Sequence, residues 1–264
     1  MAASPDGRYV AVSSPPADRV TLIRTRAATV AARTAVSGRP HDVAFTPDRR
    51  RLWVTAESGR RLVKLSVPSG RRVLSRGTGG PPHDLDVYRR ELWATIDGAS
   101  AVEVRSAGAG RLLARAHLGL APHDVAFEPR GRRVWLSNWS SSLLTVASGR
   151  SRRGLATLRV GTEPHHFAFG LGCLWASDNG GGTLIQIDPE PRRIRGRTRV
   201  GPEPHHVAIA GSNVLVAVNG SGRVAVVSAR GRLLRSVRAG AGPHGIAAVA
   251  MMRRESAARA RSCR

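Results

Sequence analysis

Short apolar runs alternate with polar turn residues along almost the whole chain. One stretch shows the pattern clearly, with runs at Val43–Phe45, Leu52–Thr55, Leu62–Val67 and Arg72–Ser75. The runs are too short and too nearly alternating for helices, and their period is that of strands. Gly, Pro, Asp, Asn and Ser stand between them, each favouring a turn for its own backbone reason. The pattern therefore predicts four short strands, a to d, in this segment. The same four-run layout returns down the chain with little drift.

Each repeat opens on Pro-His-Asp, Pro-His-His or Pro-His-Gly. The histidines are His41, His83, His123, His165, His205 and His244, spaced by 42, 40, 42, 40 and 39 residues. Four strands in a period near 40 is the arithmetic of a β-propeller with one repeat per blade. The expected fold is all-β: a single propeller of six four-stranded blades. Whole blades are expected at 40–81, 82–121, 122–163, 164–203 and 204–242. A composite blade joins 1–39, which supplies runs b to d, with 243–250, which supplies run a. Such closure removes exposed sheet edges. Met1-Ala2-Ala3 aligns with the end of a run a, so the chain opens inside a repeat; an upstream start would add a seventh blade or a signal peptide. Residues 251–264 carry no repeat character and read as a disordered basic tail.

Trp53, Trp93, Trp135 and Trp175 share one position of run b, and Val10 and Val216 align with them. A large aromatic inside each strand reads as packing between blades rather than as a platform for stacked bases, which needs an exposed face. The formal charge is +24, and 41 of the 42 basic residues are arginine. Such a field suits nucleic acid or an anionic surface, but the near absence of lysine also fits coding bias. The chain shows no signal peptide and no run near the ~18 apolar residues of a membrane helix. Cys173 and Cys263 form neither a disulfide framework nor a zinc pattern.

Sorting residues by loop separates the charge. The a–b and c–d turns collect arginines, including Arg71 and Arg72, Arg132 and Arg133, Arg152 and Arg153, and Arg192 and Arg193. This arginine-rich face is a docking candidate for nucleic acid or another anionic polymer, or a solvated surface. The d–a and b–c loops collect the histidines with Asp42, Asp84, Asp124, Glu163 and Glu203, together with Glu57, Asp97, Asp178 and Asn179. Titratable groups around a channel mouth make a site candidate. Three readings of the histidines stay open. They buttress the turns, they bind a metal or anion, or one acts as acid or base beside a carboxylate. His166 and His206 depart from the repeat, replacing Asp after the common histidine. With them, the Gly-rich loop after Asp178 and Asn179 suits a ligand lid.

The motif PHDVAFTPDRRRLWVT, opening at Pro40 and followed by a polar loop and an apolar strand, resembles the YVTN-type β-propeller repeat, which includes lactonase-like proteins. The likeness spans residues 1–250 and implies a periplasmic or extracellular propeller. The blades are also similar to those of streptogramin (virginiamycin B) lyases, which open blades with Pro-His and carry a catalytic Glu-Pro-His. That resemblance implies catalytic roles for Glu163 and His165, or Glu203 and His205, with a divalent metal such as Mg²⁺. The leading expectation is a monomeric binding scaffold without cofactor. It takes a small molecule, peptide or protein at the channel mouth through His41, His83, His123, His165, His166, His205, His206, His244, Asp178 and Asn179.

Overall fold

The computed structural model describes residues 1–119, 121–138, 141–249 and 263. Twenty-four strands form six four-stranded antiparallel sheets, each built from strands consecutive in sequence. By contacts the chain divides into two compact units, Met1–Leu136 with Ala147–Leu155, and Ser137–Val146 with Ala156–Arg264.

The first unit holds three whole sheets. They are β1 (Ala2–Ala3), β2 (Tyr9–Ser14), β3 (Arg19–Arg24) and β4 (Thr29–Ala35); then β5 (Pro40–Phe45), β6 (Arg51–Ala56), β7 (Arg61–Ser66) and β8 (Arg72–Gly77); then β9 (Pro82–Tyr88), β10 (Glu91–Ile96), β11 (Val102–Ser106) and β12 (Leu112–Ala116). A fourth sheet comprises β13 (Pro122–Phe127), β14 (Arg133–Asn138), β15 (Leu143–Ser148) and β16 (Gly154–Arg159). The second unit holds β17 (Pro164–Gly170), β18 (Cys173–Asp178), β19 (Thr183–Asp188) and β20 (Arg193–Arg199), and then β21 (Pro204–Ala210), β22 (Asn213–Val218), β23 (Arg223–Ser228) and β24 (Leu233–Arg238). Among the described residues no helix is long and apolar enough to cross a membrane.

The core lies between successive sheets. In the first unit Trp53 and Leu62 pack with Leu85, Leu92 and Ala94 of the following sheet, and Trp93, Val102 and Val104 pack with Val125, Phe127 and Val134. In the second unit Cys173, Trp175 and Leu184 meet Val207, Val214 and Val216. All four tryptophans of this register are fully buried, so they are packing residues and offer no exposed face. The Trp53 indole donates to Ala107 O at 3.0 Å, 54 residues along the chain. A Cβ added at Gly110 would sit 2.8 Å from its ring, which explains the glycine there.

The register corrects one alignment. Trp53 pairs with Ala44 and Trp175 with Ala168. The matching partners in the first and last sheets are Ala11 and Leu215, not Val10 and Val216, since an offset of 42 carries Trp53 to Ala11 and an offset of 40 carries Trp175 to Leu215.

In the first sheet the innermost place belongs to β1, with Ala2 opposite Ala11 and Ala3 opposite Val10. Residues 243–249, expected to supply that strand, are in no strand. The local turn favours the short hairpin. Gly7 N donates to Ser4 O, Ser4 N to Tyr9 O, and Ser4 Oγ to Asp6 at 2.7 Å.

The cysteine expectation is also corrected. Cys173 and Cys263 form a disulfide across 90 positions, and both are buried in the core of the second unit. Only tertiary proximity can reveal a pairing at that separation. The rest of the expected tail lies outside the described residues.

Candidate functional site

A repeated bulge places the histidines. On β5, Pro40 pairs with Ala56 and Val43 with Val54, so His41 and Asp42 together face the single residue Thr55. The same three-against-two step sets His83 and Asp84 opposite Thr95, His165 and His166 opposite Ser177, and His205 and His206 opposite Ala217. An extra residue bends the strand and re-aims side chains that would otherwise alternate. The opposing hydroxyl then ties sheet to sheet. Thr55 Oγ1 accepts from Asp42 N at 2.8 Å and donates to His83 O of the following sheet at 2.8 Å. Thr95 does the same toward His123 O at 2.7 Å, and Ser13 reaches His41 O. In the second unit Ser177 Oγ lies 2.5 Å from His205 O, and Ser137 reaches His165 O at 2.7 Å.

The first unit carries an imidazole–carboxylate cluster. His83 Nδ1 donates to Glu57 Oε1 at 2.6 Å and lies 3.6 Å from Asp97 Oδ2. Asp84 lies between His41, 3.7 Å away, and His123, 4.0 Å away. The rings of His41 and His83 stack at 4.0 Å, and those of His83 and His123 lie 4.1 Å apart. Burial opposes a charge on His83, but Asp84, the Glu57 hydrogen bond and Asp97 outweigh it and raise its pKa to about 9. Burial would likewise raise Asp84. The charge of His83 and the hydrogen bond from His41 drive that carboxyl well below its usual range. Asp42 has weaker compensation, from the chain's N-terminus, the Val43 amide and His41. Burial, and then the Asp84 charge, pushes its carboxyl up to about 6. The cluster opens to solvent at Asp97, whose side chain is 47% exposed.

At neutral pH His83 is thus an imidazolium that donates hydrogen bonds, and Glu57 remains a carboxylate that accepts them. Neither Glu57 nor Asp97 stands out in the repeat. The available signal is that each follows a run-b tryptophan by four places, Trp53 and Trp93 respectively.

The second unit carries a cluster of imidazoles. His165 and His205 have ring centroids 3.8 Å apart, as do His205 and His244. His166 and His206 stack at 4.0 Å. His166, which departs from the repeat, does the work of an aspartate. Its Nδ1 accepts from Val207 N of the following sheet, as Asp42 Oδ2 accepts from Leu85 N in the first unit.

The other candidate residues are placed as follows. Asp178 is buried, and its Oδ1 accepts from Thr162 N at 2.9 Å and Glu163 N at 2.8 Å. The Gly-rich loop packs on this carboxylate, where a Cβ at Gly181 would lie 2.1 Å from Oδ2. Asn179 N donates to Glu163 O, and Asn219 N to Glu203 O, so both glutamates lend their backbone to turns. Among the arginines, Arg71, Arg72, Arg132, Arg153, Arg192 and Arg193 are exposed. Arg133 pairs with Glu128 at 2.6 Å and Arg152 with Glu91 at 2.6 Å.

No family model and no curated protein matches the sequence. Among solved structures the chain is similar to Kuenenia stuttgartiensis hydrazine synthase, with a TM-score of 0.82 and 15% identity, over 94% of this chain and 88% of that one. At that identity the likeness concerns the fold alone. With the six four-stranded sheets it identifies a six-bladed β-propeller.

Proposed function

We propose that this propeller, of YVTN-like repeat type, is a binding scaffold. Its ligand is a small molecule or peptide carrying a cationic or N–H-rich group, held at Glu57, His83 and Asp97. The observation that carries this reading is the open carboxylate pair beside a buried imidazolium. Asp97 is about half exposed, Glu57 hydrogen-bonds His83 at 2.6 Å, and one oxygen of each carboxylate lies within 4.8 Å of the other and of the His83 ring nitrogen. His83 neutralises one carboxylate of this group, and Asp84 already engages His41. Glu57 Oε2 also lies 4.0 Å from the Arg39 guanidinium, so the acceptor capacity left over is chiefly that of Asp97, which suits amines and guanidinium groups.

A lyase or lactonase working here would need a histidine base. An imidazolium that releases its proton only near pH 9 is poorly suited to that role at neutral pH, so binding is the stronger reading. Calorimetry against a panel of amines, guanidines and arginine-containing peptides provides the test. At least one class should bind saturably, and Glu57→Gln with Asp97→Asn should weaken it about tenfold or more. No saturable ligand, or equal affinity in the double variant, overturns the reading. Steady turnover of lactones or depsipeptides that is lost in His83→Gln would favour the enzyme instead.

A further inference from the structure

The second unit brings three imidazoles to one point. The ring nitrogens of His205, His206 and His244 lie within 4.8 Å of one another. In a regular strand His205 and His206 would project to opposite faces. The bulge at Pro204–Val207 places both opposite Ala217, and their rings run nearly parallel, 5° apart in plane and 5.2 Å apart at their centroids. His244 arrives from the segment after β24 and completes the group, 3.8 Å from His205 and 5.2 Å from His206.

We propose that His205, His206 and His244 form a binding site for a late first-row divalent cation, with Zn²⁺ as the test ion. The site rests on a different cluster from the ligand reading above, and either can fail without the other.

Three features support it. First, the donors are all imidazole nitrogens, which suit Zn²⁺, Cu²⁺ and Ni²⁺ and discriminate against Mg²⁺ and Ca²⁺, ions that prefer oxygen. Second, tetrahedral zinc with bonds of about 2.0–2.1 Å needs nitrogens about 3.3 Å apart. The required movement is within reach of side-chain rotation, because His244 is exposed and lies outside any strand. Third, stacked imidazoles repel one another when both are charged, and the neutral ring is the form that binds a metal. Three protein donors leave a fourth position for water or an exchangeable ligand, as in zinc sites that keep one coordination place open.

The test uses the untagged full chain with its disulfide intact, titrated with Zn²⁺ alone. One equivalent should bind saturably, and a hundredfold excess of Mg²⁺ should not displace it. Cu²⁺ in the same site should show nitrogen coordination by electron paramagnetic resonance. His244→Ala, an exposed position where folding is safe, should weaken Zn²⁺ binding at least about tenfold. His117→Ala, a surface histidine outside the cluster, should leave it unchanged. Thermal melts report whether His206→Gln still folds. Absence of saturable Zn²⁺ binding overturns the site, as does equal loss in the His117 and His244 variants. Binding that appears only after reduction, and so belongs to the cysteines, overturns it too.

Discussion

A buried charge is tolerated only when its surroundings supply the compensation that water no longer does. Asp84 is 3% exposed and Asp42 is half-buried, yet the two carboxyls shift in opposite directions because three histidines act on Asp84 and only His41 on Asp42. The partner, His83, carries the pH dependence. Its folded pKa of about 9 lies above the ordinary 6.5. Its stabilisation is therefore complete below about pH 6.5 and is lost as the pH rises through about 9. The melting temperature should fall across that window, and His83→Gln should flatten the fall. Glu57, Asp84 and Asp97 face His83 directly, with His41 stacked on it and the His123 ring tilted against it. A profile unchanged by the substitution would show that His83 is not the proton-binding group. The sequence made the histidines visible by repetition. It did not separate the two clusters, since the deciding partners, Glu57 and Asp97, come from other parts of the repeat.

At the scale of the element, the bulge explains why each inner strand starts with two polar residues. Run a was expected from Val43, because alternation begins there. The strand in fact begins at Pro40, and the extra residue hides His41 and Asp42 from a period-two reading. The facing hydroxyl was legible after the fact, two places beyond each of the four tryptophans. Thr55→Val keeps the shape while removing the acceptor for Asp42 N and the donor to His83 O. It should cost about 1–3 kcal/mol, the penalty of an unpaired buried amide. Chemical denaturation measures this. Ala217→Ser, at the one position facing an inner strand seen without a hydroxyl among the described residues, should be milder because no existing bond is broken.

For the whole molecule, the disulfide is the feature that repetition concealed. Linking Cys173 to Cys263 closes a loop of 90 positions, and loop-entropy arguments give such a link about 4 kcal/mol. Reduction, or the Cys173→Ser/Cys263→Ser double variant, should therefore lower the melting temperature by several degrees. Cys263 also packs in the core of the second unit, so Cys263→Ser alone should remove most of the effect. The arginines divide by pairing. Arg133 and Arg152 hold carboxylates, whereas Arg71, Arg72, Arg192 and Arg193 stay exposed.

The sequence by itself determined the architecture. Four strand-length runs in a period near 40, with a tryptophan buried at one register, leave few folds besides a six-bladed propeller, because local pattern and repeat length are written in single residues. Tertiary structure decided the chemistry. The repeat gives every blade the same Pro-His opening, but bulges, neighbouring loops and the packing of one sheet on the next determine what each ring meets. That is why His83 is an imidazolium among carboxylates in one unit, while His205 and His206 join His244 in a cluster of imidazoles in the other.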